Sequence, residues 1–165
     1  MIDTQSKISE SAKFLLFTLD SLNYALPIGI VQRVIRAVEI IPLPKAPAIF
    51  LGVVNIQGEF TAVINIRKRF NHKEKNIDLN DQIILIKIAN RTIVILADNC
   101  RGIIEIPERL IIEANKVVPG SGYVEGIAKA PDGTILILNL EKILSLEEEE
   151  FLKEIKTIHK GVRNN

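Results

Sequence analysis

Apolar residues fall along the chain in short runs broken by turn residues, the spacing expected of paired strands. Residues 14–19 (FLLFTL) run into Asp20-Ser21-Leu22-Asn23 and then 24–28 (YALPI). Residues 52–56 (GVVNI) meet Gln57-Gly58-Glu59 and then 60–66 (FTAVINI). Residues 82–88 (QIILIKI) meet Ala89-Asn90-Arg91 and then 92–97 (TIVILA). Residues 124–128 (VEGIA) meet Pro131-Asp132-Gly133 and then 134–140 (TILILNL). Each unit reads as a hairpin, and Pro131-Asp132-Gly133 is the strongest turn signal, because proline presets φ and glycine accepts positive φ.

Ile93-Val94-Ile95-Leu96 and Ile135-Leu136-Ile137-Leu138 do not alternate with polar residues. An antiparallel sheet with one wet face would alternate. These strands therefore need cover on both faces: one inside a small barrel, the other against a second barrel or a helix. The charged segment 67–81 divides an earlier from a later group of hairpins. The pattern predicts two small barrels packed together, the first over about 23–70 and the second over about 82–140 plus the N-terminal strand. Ile86, Ile95, Leu136 and Leu138 are the expected core. Helix is expected only at short connections and at the C-terminus. There, Ser145 and Glu148 have capping-box spacing, and Phe151, Leu152, Ile155 and Ile158 recur on one helical face. That predicts an amphipathic helix from about 146 to 159, lying as a lid on the core.

With 29 isoleucines and 11 valines, composition agrees with strands. Charge does not point to nucleic acid: 21 basic against 20 acidic residues leave a net +1. The basic cluster Arg67, Lys68, Arg69, His72, Lys73 and Lys75 lacks interleaved stacking aromatics, and reads as a solvated loop. No run is long enough to span a membrane. Residues 1–13 are polar, without the apolar stretch of a secretory signal, and are expected to form a flexible tail. With the single cysteine Cys100 no internal disulfide can form, so a reducing, cytoplasmic setting is expected.

No catalytic constellation emerges. Pro119-Gly120-Ser121-Gly122 lacks phosphate-loop spacing. Glu147–Glu150 suits a helix N-terminus rather than a metal. His72 and His159 have no partner at ligand spacing, and Cys100 reads as a packed thiol rather than a nucleophile. Neither a metal nor a cofactor is expected.

Residues 43–70 (LPKAPAIFLGVVNIQGEFTAVINIRKRF) are more specific. With Pro47, Gly52, Val53, Asn55, Ile56, Gly58, Val63, Ile64, Ile66, Arg67, Arg69 and Phe70, they resemble the pattern of the CheW-like family, the coupling proteins of bacterial chemotaxis arrays. The opening hairpin, Asp98, Tyr123-Val124-Glu125-Gly126-Ile127 and 135–144 (ILILNLEKIL) extend the resemblance over about 14–146. It implies a mainly β fold of two small packed five-stranded barrels of SH3-like type, a C-terminal helix with its tail over 147–165, and no enzymatic activity. It also implies a cytoplasmic adaptor recruited to receptor arrays. The implied partners are the regulatory domain of a CheA-type histidine kinase and the cytoplasmic tip of chemoreceptors, with no direct membrane insertion. By position, the receptor groove would comprise Val31, Arg33, Gly52, Asn55, Gln57, Asp98, Cys100 and Ile103. The kinase-binding residues would be Val34, Ile35, Ala37 and Phe60.

The chain departs from the family at three places. Typical members have an arginine where Gln57 stands and often a glutamate where Arg33 stands, and those two form a charge pair. Here Arg33 must find another carboxylate, with Glu59 the expected candidate, or remain exposed. The stretch 113–122 is shorter than usual and lacks an aromatic, which bears on ring assembly. The alternative reading is a CheW-like scaffold for a different partner in a non-chemotaxis signalling system.

Overall fold

The computed structural model describes residues 10–117, 122–131 and 133–163. The side chains of 116–117 and 156–163 are outside that description. So are residues 1–9 of the expected tail, Asp132 of the strongest turn signal, and 118–121 of the shortened loop.

The strands are β1 (Ser11–Leu19), β2 (Leu22–Pro27), β3 (Val31–Arg36), β4 (Phe50–Ile56), β5 (Glu59–Ile64), β6 (Gln82–Ile88), β7 (Arg91–Ala97), β8 (Asn99–Pro107), β9 (Ile112–Glu113), β10 (Val124–Ala130) and β11 (Gly133–Leu138). The helices are α1 (Ile66–Arg69), α2 (Ala114–Val117) and α3 (Leu146–Arg163). The four expected hairpins are β1–β2, β4–β5, β6–β7 and β10–β11. In two of their turns both central residues are left-handed: Asp20 and Ser21 at φ 49° and 72°, and Gln57 and Gly58 at φ 52° and 87°. Such two-residue turns match the twist of the strands they join.

The strands form two sheets, ordered β3-β6-β7-β5-β4 and β8-β1-β2-β11-β10-β9. The second has a sixth strand, the two-residue β9. Their membership differs from the sequential division expected at the charged segment. The β6–β7 hairpin joins the five-stranded sheet, where β7 runs parallel to β5. Residues 22–27 belong to the six-stranded sheet, where β2 runs parallel to β11. The five-stranded sheet is therefore one contiguous stretch, 31–97, set between the two halves of the other sheet. The reason is physical: a parallel pairing joins strands that cannot be neighbours in the chain.

Three apolar layers account for the strands that are apolar on both faces. Val54, Val63, Ile83 and Val94 pack inside the five-stranded sheet. Phe14, Ala25, Ile106, Ile135 and Ile137 pack inside the six-stranded one. A larger layer between the sheets holds Phe17, Tyr24, Leu26, Ile64, Ile86, Ile95 and Leu138. Of the expected core, Ile86, Ile95 and Leu138 are fully buried, whereas Leu136 is only half-buried at the margin of the inter-sheet layer.

The helix α3 begins at the expected residue and continues to Arg163. Its capping box is formed: Ser145 N–H donates to Glu148 Oε1 at 2.7 Å, and Glu148 N–H to Ser145 Oγ at 3.2 Å. Leu152 and Ile155 enter the inter-sheet layer, and the Phe151 ring lies 5.1 Å from that of Phe50. No helix is long and apolar enough to cross a membrane among the described residues.

Candidate functional site

The chain passes between the sheets twice: through the 3-10 turn Ile28–Ile30, and between β7 and β8, where Asp98 alone intervenes. Around Asp98 charged side chains from distant parts of the chain converge. Arg67, on α1 just past β5, donates through Nη2 to Asp98 Oδ1 and Oδ2 at 2.7 and 2.6 Å. The same guanidinium donates to Asp20 Oδ2 and Oδ1 at 2.8 and 3.0 Å, and to the Lys73 carbonyl at 3.1 Å. Asp20 lies in the β1–β2 turn, and its own N–H donates to Asp98 Oδ2 at 2.8 Å. Lys75 Nζ bridges Asp81 at 2.6 Å and Asp98 at 3.2 Å. His72 stands between Asp20 (Nδ1 to Oδ2, 3.1 Å) and the Tyr24 hydroxyl (2.6 Å), and the tautomer protonated on Nδ1 satisfies both.

The reading of 67–75 as a solvated loop is therefore corrected. Arg67, Arg69, His72 and Lys75 are each tied to a carboxylate, and only Lys68 and Lys73 fit that reading as plainly exposed. His72 has the acidic partner that its sequence neighbours did not offer. Arg67 holds the Asp20 carboxyl at about 2, with His72 adding to the effect. For Asp98, burial alone would raise the value; the Asp20 N–H, Arg67 and Lys75 outweigh it and hold the carboxyl below its ordinary range.

The residues expected in a receptor groove separate into distinct places. Val31 on β3 and Cys100 on β8 both pack at the margin of the inter-sheet layer. Ile103 pairs with the buried Leu15, so it stands on the same face of its sheet, yet it is 62% exposed. These two strands are edges, one of each sheet. They meet at Gln82, which pairs with Arg36 of β3 and whose Oε1 accepts the Cys100 N–H at 2.6 Å. Val31 pairs with Ile86 at the other end of β3, so each edge strand brings its own apolar residue to the margin of the inter-sheet layer. Burial pushes the Cys100 thiol up to about 11, which leaves little thiolate near neutral pH.

Arg33 and Gln57 come together elsewhere, with Gln32, Glu59, Thr61 and Thr92, around a polar depression over Ile56 and Leu85. Asn55 is exposed beside it, and its Oδ1 accepts the Gly58 N–H at 2.8 Å. Gly52 is buried: Ile41 pairs with Val53, and a side chain at position 52 would strike the Ile41 carbonyl. Gly52 is therefore required by packing.

The residues expected to bind a kinase lie on the five-stranded sheet or just beyond it. Val34 and Ile35 are half-buried within the edge strand β3, not in or beside a turn, facing the inter-sheet layer and the sheet's own core respectively. Ala37 follows that strand, its N–H donating to the Asp81 carbonyl at 2.9 Å. Phe60 is 39% exposed on β5 and is not a core residue.

Residues 13–148 match the family model described as CheW-like domain. The chemotaxis protein CheW of Treponema pallidum is 22% identical over 152 residues, covering 88% of this chain and 89% of its own. That of Thermotoga maritima is 26% identical over 142 residues, covering 84% and 89%. Among solved structures, the scaffolding protein TtCheW from Thermoanaerobacter tengcongensis superposes with a TM-score of 0.76 at 28% identity, over 84% of this chain and 96% of its own.

Proposed function

Because the chain belongs to the CheW-like family, we propose that it is a non-catalytic adaptor that couples chemoreceptors to a CheA-type histidine kinase at receptor arrays in the cytoplasm. The observation that carries this reading is that both edge strands, β3 and β8, bring apolar residues to the margin of the inter-sheet layer. Val31, Cys100 and Ile103 extend the inter-sheet core there to the surface. Ile103 on that face is 62% exposed, and a docked receptor tip would cover it. The kinase-facing residues are Val34, Ile35, Ala37 and Phe60, of which Phe60 is the exposed aromatic anchor. Arg33, Asn55 and Gln57 border the receptor side.

One observation favours a second reading, a CheW-like scaffold for another partner outside chemotaxis. Arg33 is exposed in one depression with Gln57 and Glu59, so this surface offers a cation where typical members have an acid. Titrating the chain with the kinase regulatory domain and, separately, with a soluble receptor tip distinguishes the two. Ile103→Glu should weaken receptor binding at least about tenfold and spare the kinase, while Phe60→Ala should weaken kinase binding at least about fivefold. Binding of neither partner by the parent chain would reject the chemotaxis reading.

A further inference from the structure

The covalent path between the sheets is thin. All of the five-stranded sheet lies between the turn Ile28–Ile30 and Asp98. Two short joints of this kind define an axis about which packed bodies can rotate, and hinges of this sort are a few residues at the ends of elements. One joint is a single residue, and its side chain is gripped from both sides. Arg67 and Lys75 reach it from the five-stranded side, and the Asp20 N–H reaches it from the six-stranded side. Arg67 closes the bridge by holding Asp20 as well, and its side chain is only 12% exposed. A guanidinium forked over two carboxylates fixes direction as well as distance, which a point charge does not.

We propose that Asp98 is a hinge residue and Arg67 its lock: together they are positioning residues that fix the angle between the sheets and so the width of the β3–β8 margin. Both act from within the chain, where the Asp98 carboxylate already accepts from Arg67, Lys75 and the Asp20 N–H. The inter-sheet apolar layer holds many side chains besides those next to this bridge, so the protein keeps its fold when the lock is removed. The consequence for affinity rests on the adaptor reading above; the hinge itself does not.

The test measures the angle without any partner. Spin labels are placed at Lys87→Cys on β6 and Lys129→Cys on β10, both exposed and on different sheets, in a Cys100→Ser background. Electron–electron distance distributions are then compared. Arg67→Gln and the isosteric Asp98→Asn should each broaden the distribution while the far-ultraviolet spectrum stays native, and Arg67→Lys should restore it only in part. A receptor tip that binds the parent should bind Arg67→Gln at least about tenfold more weakly. Ile103→Ala, which removes contact alone, should lower affinity with the distribution unchanged. A parent-like distribution in either folded variant, Arg67→Gln or Asp98→Asn, overturns the hinge, even if its melting temperature falls. Failure of the parent to bind a receptor tip would count against the adaptor reading and leave the distance result standing.

Discussion

Arg69 Nη2 donates to Glu148 Oε1 at 2.6 Å, on the same oxygen that accepts the Ser145 N–H of the helix cap. Next to it, Arg91 pairs with Glu149 and donates to the Glu141 carbonyl at 3.2 Å. Two arginines of the five-stranded region thus hold the first turn of a helix that grows out of the six-stranded sheet. Glu148→Ala removes the cap partner and leaves the half-buried Arg69 guanidinium without its carboxylate. It should cost about 1–3 kcal/mol in urea unfolding. Ser145→Ala loses only the cap and should cost less. Equal costs would show that Arg69 contributes nothing through Glu148.

Gly52 has φ 147°, with the Ile41–Pro42 backbone lying over it. Gly52→Ala must strain this backbone and displace the Ile41 carbonyl that accepts the Val53 N–H at 2.9 Å. The expected loss is about 1–3 kcal/mol, with the effect on partner binding no larger than the fraction unfolded explains. Calorimetry and a binding titration on the same sample check both parts.

Truncation of Ile86, Ile95 or Leu138 to alanine should each cost about 2–5 kcal/mol, since all three are fully enclosed. Leu136→Ala should cost clearly less, because its side chain is only half-buried. Chemical denaturation of the four variants ranks them; a Leu136 variant as unstable as the others would contradict its marginal position.

The pH response should have two limbs. Burial pushes Cys100 up to about 11, and pushes the Tyr24 hydroxyl up to about 12 with help from Asp20. Both folded values lie above the unfolded ones, so the neutral forms support the fold fully below about pH 9. That support is lost as pH rises towards 11–12. Asp20, held at about 2, and Asp98, held below its usual range, act in the opposite sense. Their contribution is present above about pH 4 and is lost as pH falls towards 2. Melting temperatures across pH should be flat between these limits. Cys100→Ser should move the start of the alkaline decline from about pH 9 to about pH 10, where Tyr24 takes over.

What the sequence revealed was local. The β1–β2 hairpin and the Ser145–Glu148 box are written within a few residues of themselves, so residue type and spacing suffice. Sheet membership is not: Val63 lies beside Val94, and Ala25 beside Ile137, through parallel pairings that leave no local trace. The charged cluster failed for the same reason. Arg67 looks solvated beside Lys68 and Arg69, and its partners Asp20 and Asp98 are distant in the chain. The family resemblance placed Asp98 and Gly52 in a groove, while their surroundings give both a task inside the molecule.

Because the five-stranded sheet is one uninterrupted stretch, all of its strands have been synthesised once Ala97 has been added. The other sheet cannot be completed so early. The parallel partner of β2 is β11, which ends at Leu138. During synthesis the first hairpin must therefore wait, with Phe14 and Ala25 uncovered on one face, while the inserted sheet assembles behind it. The first strands made belong to the last sheet finished.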